Sequence, residues 1–153
     1  MPDESLLTDE VRALVGLATE SVEVEVASRH VRRAMDLYLG RADRGFAPGE
    51  RVPGYVLVAL VSEAEGVDLP QVMPDSILIS NEMQFERPLL MGERLVLRSR
   101  IADISERFGG RFGYSLYFRT ETEAFEPGGT SVARTAQTMM YYDATSATGE
   151  GEA

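Results

Sequence analysis

From Tyr55 to Val61 the chain is apolar at every position, and Pro53 and Gly54 stand immediately before it. Such a run is far too short to span a bilayer, which takes about 20 residues. Apolar on all sides, it must be buried on all sides. Its composition permits strand or helix. Ser62, Glu63, Ala64 and Glu65 extend it without a turn signal, so the spacing predicts a helix. A helix with no wet face has to be wrapped, and a curved sheet is the simplest wrapper.

The second half of the chain supplies that sheet. Ile77, Ile79, Met83 and Phe85 recur at alternate positions, and so do Leu95, Leu97 and Ile101 after the turn at Pro88–Gly92. Phe112, Tyr114, Leu116 and Phe118 follow Gly109–Gly110; Val132, Ala136, Thr138, Met140 and Tyr142 follow Pro127–Gly128–Gly129. Period-two runs broken by Gly and Pro read as an antiparallel meander. Upstream, Leu6, Leu7, Val11, Leu14 and Val15 recur at helical spacing, and Val22–Val26 alternates as a strand. Ser28 resembles an N-cap for a helix with Val31, Ala34, Met35, Tyr38 and Leu39 on its apolar stripe, closed by Gly40. Residues 41–54 form a loop rich in Gly, Pro and charge. The expected fold is α+β, a single domain over residues 1–143 with its sheet around the central helix, followed by a polar tail at 144–153.

Composition narrows the function. The 153 residues carry a formal net charge of −10, and every basic residue is Arg. That balance argues against nucleic acid and against an anionic membrane surface. Absence of Cys removes disulfides, thiolate metal sites and a Cys nucleophile. One His and scattered acids make no metal-ligand set, and no cofactor is implied. The acidic N-terminal stretch lacks the basic and apolar regions of a signal peptide, so the expected location is cytoplasmic.

Two stretches carry a family resemblance. Residues 48–64, PGERVPGYVLVALVSEA, resemble the entry to the central helix of hot-dog acyl dehydratases, and residues 85–95, FERPLLMGERL, resemble their next recurrent motif. The helical insert at 28–40 is similar to the MaoC-like branch, especially to dehydratase domains that sit N-terminal in double hot dogs. The resemblance implies a site for an acyl thioester of coenzyme A or acyl carrier protein, shared with a hot-dog partner or a second copy. It implies that Gly54 offers its backbone N–H to the thioester carbonyl, a role suited to a helix N-terminus; a simple helix entry is the alternative. Tyr38 and Tyr55 are the hydroxyls best placed for a ligand, with core packing as the other reading.

The family's acid–base residues are missing from their places. MaoC-like hydratases carry G-D-x-N-P-x-H after the insert; here Gly40 is followed by Arg41 and no His follows. Carrier-protein dehydratases have a His before F-P-G and an acid on the central helix; here Gly45–Phe46 and Ala59 occupy those regions. Substitutes are His30, Asp43 and Glu63. His30 lies off its helix stripe and reads as exposed, with a displaced base as the alternative. Asp43 either approaches the site from its loop or is a solvated loop carboxylate. Hot-dog thioesterases place an acid about seven residues after the mouth Gly; Glu63 is nine after Gly54, and two helical residues are a rotation of about 200°. Arg98, Arg100, Arg111 and Arg119 come from neighbouring strands and either gather for a phosphate tail or are scattered solvated charges.

The implied function is that of a dehydratase–hydratase subunit, the ligand-binding half whose partner supplies the dyad. A non-enzymatic acyl-thioester binder, or an autonomous dehydratase or thioesterase with a rearranged site, are the alternatives.

Overall fold

A computed structural model describes residues 4–42, 44–64 and 66–146. In chain order the elements are α1 (Asp9–Arg12), β1 (Val22–Glu25), α2 (Ser28–Leu39), β2 (Arg51–Val52), α3 (Val56–Glu63), β3 (Asp75–Phe85), β4 (Leu89–Leu90), β5 (Arg94–Phe108), β6 (Tyr114–Phe125) and β7 (Ser131–Tyr142). A 3₁₀ turn at Ala144–Ser146 opens the expected tail, and the rest of that tail lies outside the described residues.

The alternating runs become one antiparallel sheet, ordered β1-β5-β6-β7-β3. Gly109, Gly110 and Gly129 have φ of +88°, +80° and +100° at its hairpin turns, where a side chain would be strained. The apolar run forms α3, with Val56, Leu57, Ala59 and Leu60 buried against Leu95, Leu97, Ala124 and Ala133 of the sheet. Thus the sheet wraps the central helix, as expected. Among the described residues, no helix is long and apolar enough to cross a membrane.

Eight helical residues span only about 12 Å, whereas a strand of twelve runs about 40 Å. So α3 covers only part of the concave face. The remainder is covered by Leu6, Leu7, Val11 and Leu14 and by Val67, Leu69, Val72 and Met73, packed on Ile101, Ile104, Leu116, Phe118 and Tyr141. The expected N-terminal helix is reduced to the single turn of α1 because its apolar residues dock on the sheet end rather than along one another.

Strands β2 and β4 pair with each other, Arg51 opposite Leu90 and Val52 opposite Leu89. This ladder joins the 48–64 and 85–95 motifs directly in front of Gly54. Arg87 pins the turn: its guanidinium reaches both carboxylate oxygens of Glu93 at 2.7 and 3.1 Å and Glu126 Oε1 at 3.0 Å. Glu93 also accepts the Leu90 N–H. The carboxylates raise the Arg87 pKa further, Glu93 being the larger influence.

Candidate functional site

Helices α2 and α3 run antiparallel, and their two shared ends differ in chemistry. At the N-terminal end of α3, the Tyr38 and Tyr55 rings lie 5.0 Å apart between centroids, tilted by 31°. The Val56 and Leu57 amides donate to the Pro53 and Gly54 carbonyls at 3.1 and 3.0 Å. The N–H groups of Gly54 and Tyr55 meet no acceptor among the described residues. A helix start of this kind presents free donors and the positive end of the helix dipole. Phe85 closes one side: a Cβ on Gly54 would stand 3.1 Å from its ring.

Gly54, Tyr55 and Tyr38 therefore converge at one place. Tyr38 is not the core residue that its stripe allowed; it is 47% exposed. The stripe of α2 buries only its N-terminal part, Val31, Ala34 and Met35, because the helix runs past the edge of the core.

The opposite end holds the other candidates. His30 is 2% exposed, against the expectation of an exposed helix residue. Its ring folds back over the start of α2, where Nδ1 accepts the Ala27 N–H at 3.0 Å. Ala27, rather than Ser28, is the N-cap. Nε2 then lies 2.7 Å from Glu63 Oε2, at charge-pairing distance but off the line of a well-aligned hydrogen bond. Arg29 holds both Glu63 oxygens at 3.0 Å. Arg29 first, then His30, lowers the Glu63 carboxyl to about 2. This trio ties the start of α2 to the end of α3, a helix length away from Gly54. Asp43 lies outside the described residues.

Beside α3, in the gap between the two covers of the concave face, is a chamber of about 330 Å³. Val58, Val61 and Ser62 form its helix side; Val67 and Leu69 form another wall; Thr120, Thr122, Gln137 and Met139 form its floor. A second cleft, about 230 Å³, lies between α2 and the 42–46 loop and includes Arg32, Arg44 and Phe46, with none of Gly54, Tyr55 or Tyr38.

The strand arginines do not gather into a free cationic patch. Arg100 pairs with Glu121 at 3.2 Å and Arg119 with Glu82 at 3.0 Å on the convex face. Arg98 stands opposite Glu123 there, and Arg111 lies in the turn beside Phe112.

The two edges of the sheet contrast. Short β1 carries Glu23 and Glu25, and residues 16–19 cover the adjoining stretch of β5. Long β3 pairs only with β7, and its Ile77, Leu78 and Ile79 are 48, 46 and 49% exposed. A long apolar free edge is a template for another chain.

No protein-family profile and no curated sequence matches the chain. Solved structures do. It is similar to a chain of the C-terminally truncated HadBC (3R-hydroxyacyl-ACP dehydratase) complex from Mycobacterium tuberculosis, at TM-score 0.57 and 18% identity over 88% of this chain and 99% of that one. It is similar to the MaoC-like dehydratase from Rhodospirillum rubrum, at TM-score 0.57 and 14% identity over 84% and 92%. It is also similar to YbaW, a probable thioesterase from Escherichia coli, at TM-score 0.51 and 14% identity over 85% and 87%. The fold is the hot-dog fold that these structures share.

Proposed function

We propose that this chain is the acyl-thioester-binding subunit of a MaoC-like dehydratase–hydratase whose acid–base dyad comes from a hot-dog partner. The observation that carries this is the separation of chemistries along α3. Free N–H donors and two tyrosines meet at Gly54, while His30 and Glu63 are locked together at the far end. Hydration of an enoyl thioester develops negative charge on the thioester oxygen, and free N–H groups at a helix start suit that charge. It also requires a group to activate water and one to deliver a proton to the α-carbon. Tyr38 and Tyr55 bring phenol hydroxyls to Gly54, but His30 and Glu63, the imidazole and the carboxylate that such a dyad would need, are held at the other end of α3. The HadBC neighbour is a complex and a dehydratase, which supports the partnered form of the reading.

The exposed apolar edge of β3 is where the partner, another hot-dog sheet, would add. The thioesterase reading is weaker, because Glu63 is held by Arg29 and His30 rather than turned toward Gly54. The test is hydration of trans-2-decenoyl-CoA by the purified chain alone, and again with dyad-bearing hot-dog proteins encoded in adjoining genes. The chain alone should be inactive and should gain activity with its partner. Full turnover by the lone chain overturns the reading; saturable binding with no turnover in any combination leaves a non-enzymatic binder.

A further inference from the structure

The concave face has a feature that a simple hydrocarbon ligand does not explain. Sheet register arranges its inward residues in rungs. The rung against Gly54 is apolar: Leu97, Ala124, Ala133 and Phe85. The next contains Ser99, Thr122 and Thr135 with Met83 at its β3 end, and the one after contains Thr120, Gln137 and Asn81 with Ile101 at its β5 end. Beyond them the face becomes apolar again, with Phe118 and Met139. A polar belt centred on β6 and β7, bounded by Ile101 on β5 and Met83 on β3, therefore lies on the inside of the sheet between two hydrophobic clusters, opposite a helix with no polar residue before Ser62.

Part of the belt is internally satisfied. Ser99 and Thr122 hydroxyls share a 2.6 Å hydrogen bond, and Ser62 donates to the Ala59 carbonyl at 2.9 Å. Thr120 and Gln137 are different. They are register partners on neighbouring strands, both line the chamber, and neither side chain has a hydrogen-bond partner among the described residues. Together they offer a hydroxyl and a carboxamide, hence donors and acceptors both. A saturated chain would press hydrocarbon against them and strip their water without replacing it.

We propose that the chamber beside α3 selects an acyl group with a hydroxyl or carbonyl oxygen on its distal part, bound by Thr120 and Gln137. This rests on the acyl-thioester reading above. Gln137 is four residues along β7 from Ala133, the partner of the Phe85 that meets Gly54, so the belt stands about 13 Å along the strand from Gly54, which does not itself line the chamber. The oxygen it binds is thus separate from the 3-hydroxyl that dehydration removes. On the Gly54 side of the belt, the helix walls Val58 and Val61 suit the intervening hydrocarbon, while Met139 lies beyond it.

The test compares binding of decanoyl-CoA, 10-hydroxydecanoyl-CoA and free CoA to the full chain by calorimetry. The wild type should bind the hydroxylated ester about fivefold or more tightly than decanoyl-CoA, the scale of one net hydrogen bond. The shape-conserving double variant T120V/Q137L should lose or invert that preference while still binding decanoyl-CoA. Equal or reversed preference in the wild type overturns the inference, as does a preference that survives in the double variant. If that variant does not fold, T120V alone is compared, and the wild-type ratio already decides. When both esters bind more tightly than CoA but equally, only this inference fails; when neither exceeds CoA, the acyl-thioester reading fails with it.

Discussion

Arg87 offers a direct test of how the two motifs position Gly54. Its fork engages the largely buried Glu93 carboxylate at 2.7 and 3.1 Å, reaches Glu126, and donates to the Pro88 carbonyl at 2.9 Å. Arg87→Ala would leave Glu93 holding only the Leu90 N–H. Hydrogen bonds between charged groups contribute about 1.5–3 kcal/mol, and the loss of one partner leaves the other poorly solvated. Arg87 is itself about a third exposed, and Glu126 more so, so the Glu126 contact adds little after solvent screening. The expected cost is about 2 kcal/mol. For a chain of this size that lowers Tm by about 4–8 °C. Arg87→Lys keeps the charge but loses the fork, and should recover no more than about half of the cost. Thermal melts at one fixed protein concentration measure this, since association shifts Tm. A double-mutant cycle with Glu93→Gln should give a coupling above about 1 kcal/mol. Because β4 and β2 lie between this turn and Gly54, decanoyl-CoA affinity should fall as well. An R87A melt within about 1 °C of the wild type would refute the clamp.

Glu63 gives a pH-dependent prediction. Its folded-state pKa is lowered to about 2, from an ordinary 4.5, so its contribution is complete above pH 4.5 and is lost as pH falls toward 2. The Tm difference between wild type and Glu63→Gln should shrink as pH falls below about 4.5; a difference that does not change between pH 4.5 and 2 would contradict the Arg29–His30–Glu63 assignment. Gly54→Ala should cost less than about 1 kcal/mol, because Gly54 has no positive φ and the half-exposed Phe85 ring can yield. Its Cβ beside the free amides should nonetheless weaken decanoyl-CoA binding about fivefold; unchanged affinity would remove Gly54 from the site. Charging the free edge with I77E/I79E should weaken sedimentation of the complex with the hot-dog partner at unchanged helix and strand content, and an unaltered complex would locate association elsewhere.

Alternation of Phe85 and Met83, of Leu95 and Leu97 and of Leu116 and Phe118, with glycines between, determined the strands locally, since a sheet with one buried face records its pleat in the sequence. The Tyr55–Val61 run likewise required burial on all sides, and its extension through Ser62–Glu65 without a turn signal favoured a helix over a strand. The β2–β4 ladder left no such record, because two-residue strands have no period. His30 illustrates a different limit. Its spacing placed it off the α2 stripe, but at the third helical position its ring could turn back onto Ala27 and under Glu63, a contact set by how two helices meet. Tyr38 fits its stripe yet reaches past the core, because periodicity gives a face and not the extent of the partner beneath it.

The polar belt belongs wholly to the tertiary structure. Ser99, Thr120, Thr122 and Gln137 are unremarkable as separate strand residues, and only the register of three strands lines them up under a chamber. The sequence alone determined that this chain must be a sheet wrapped on a short apolar helix with Gly54 at its mouth, because burial and turn geometry are local properties of the chain. Where the free donors, the paired His30 and Glu63 and the unpaired Thr120 and Gln137 stand relative to one another was decided by strand register and helix packing, which act between residues far apart in sequence.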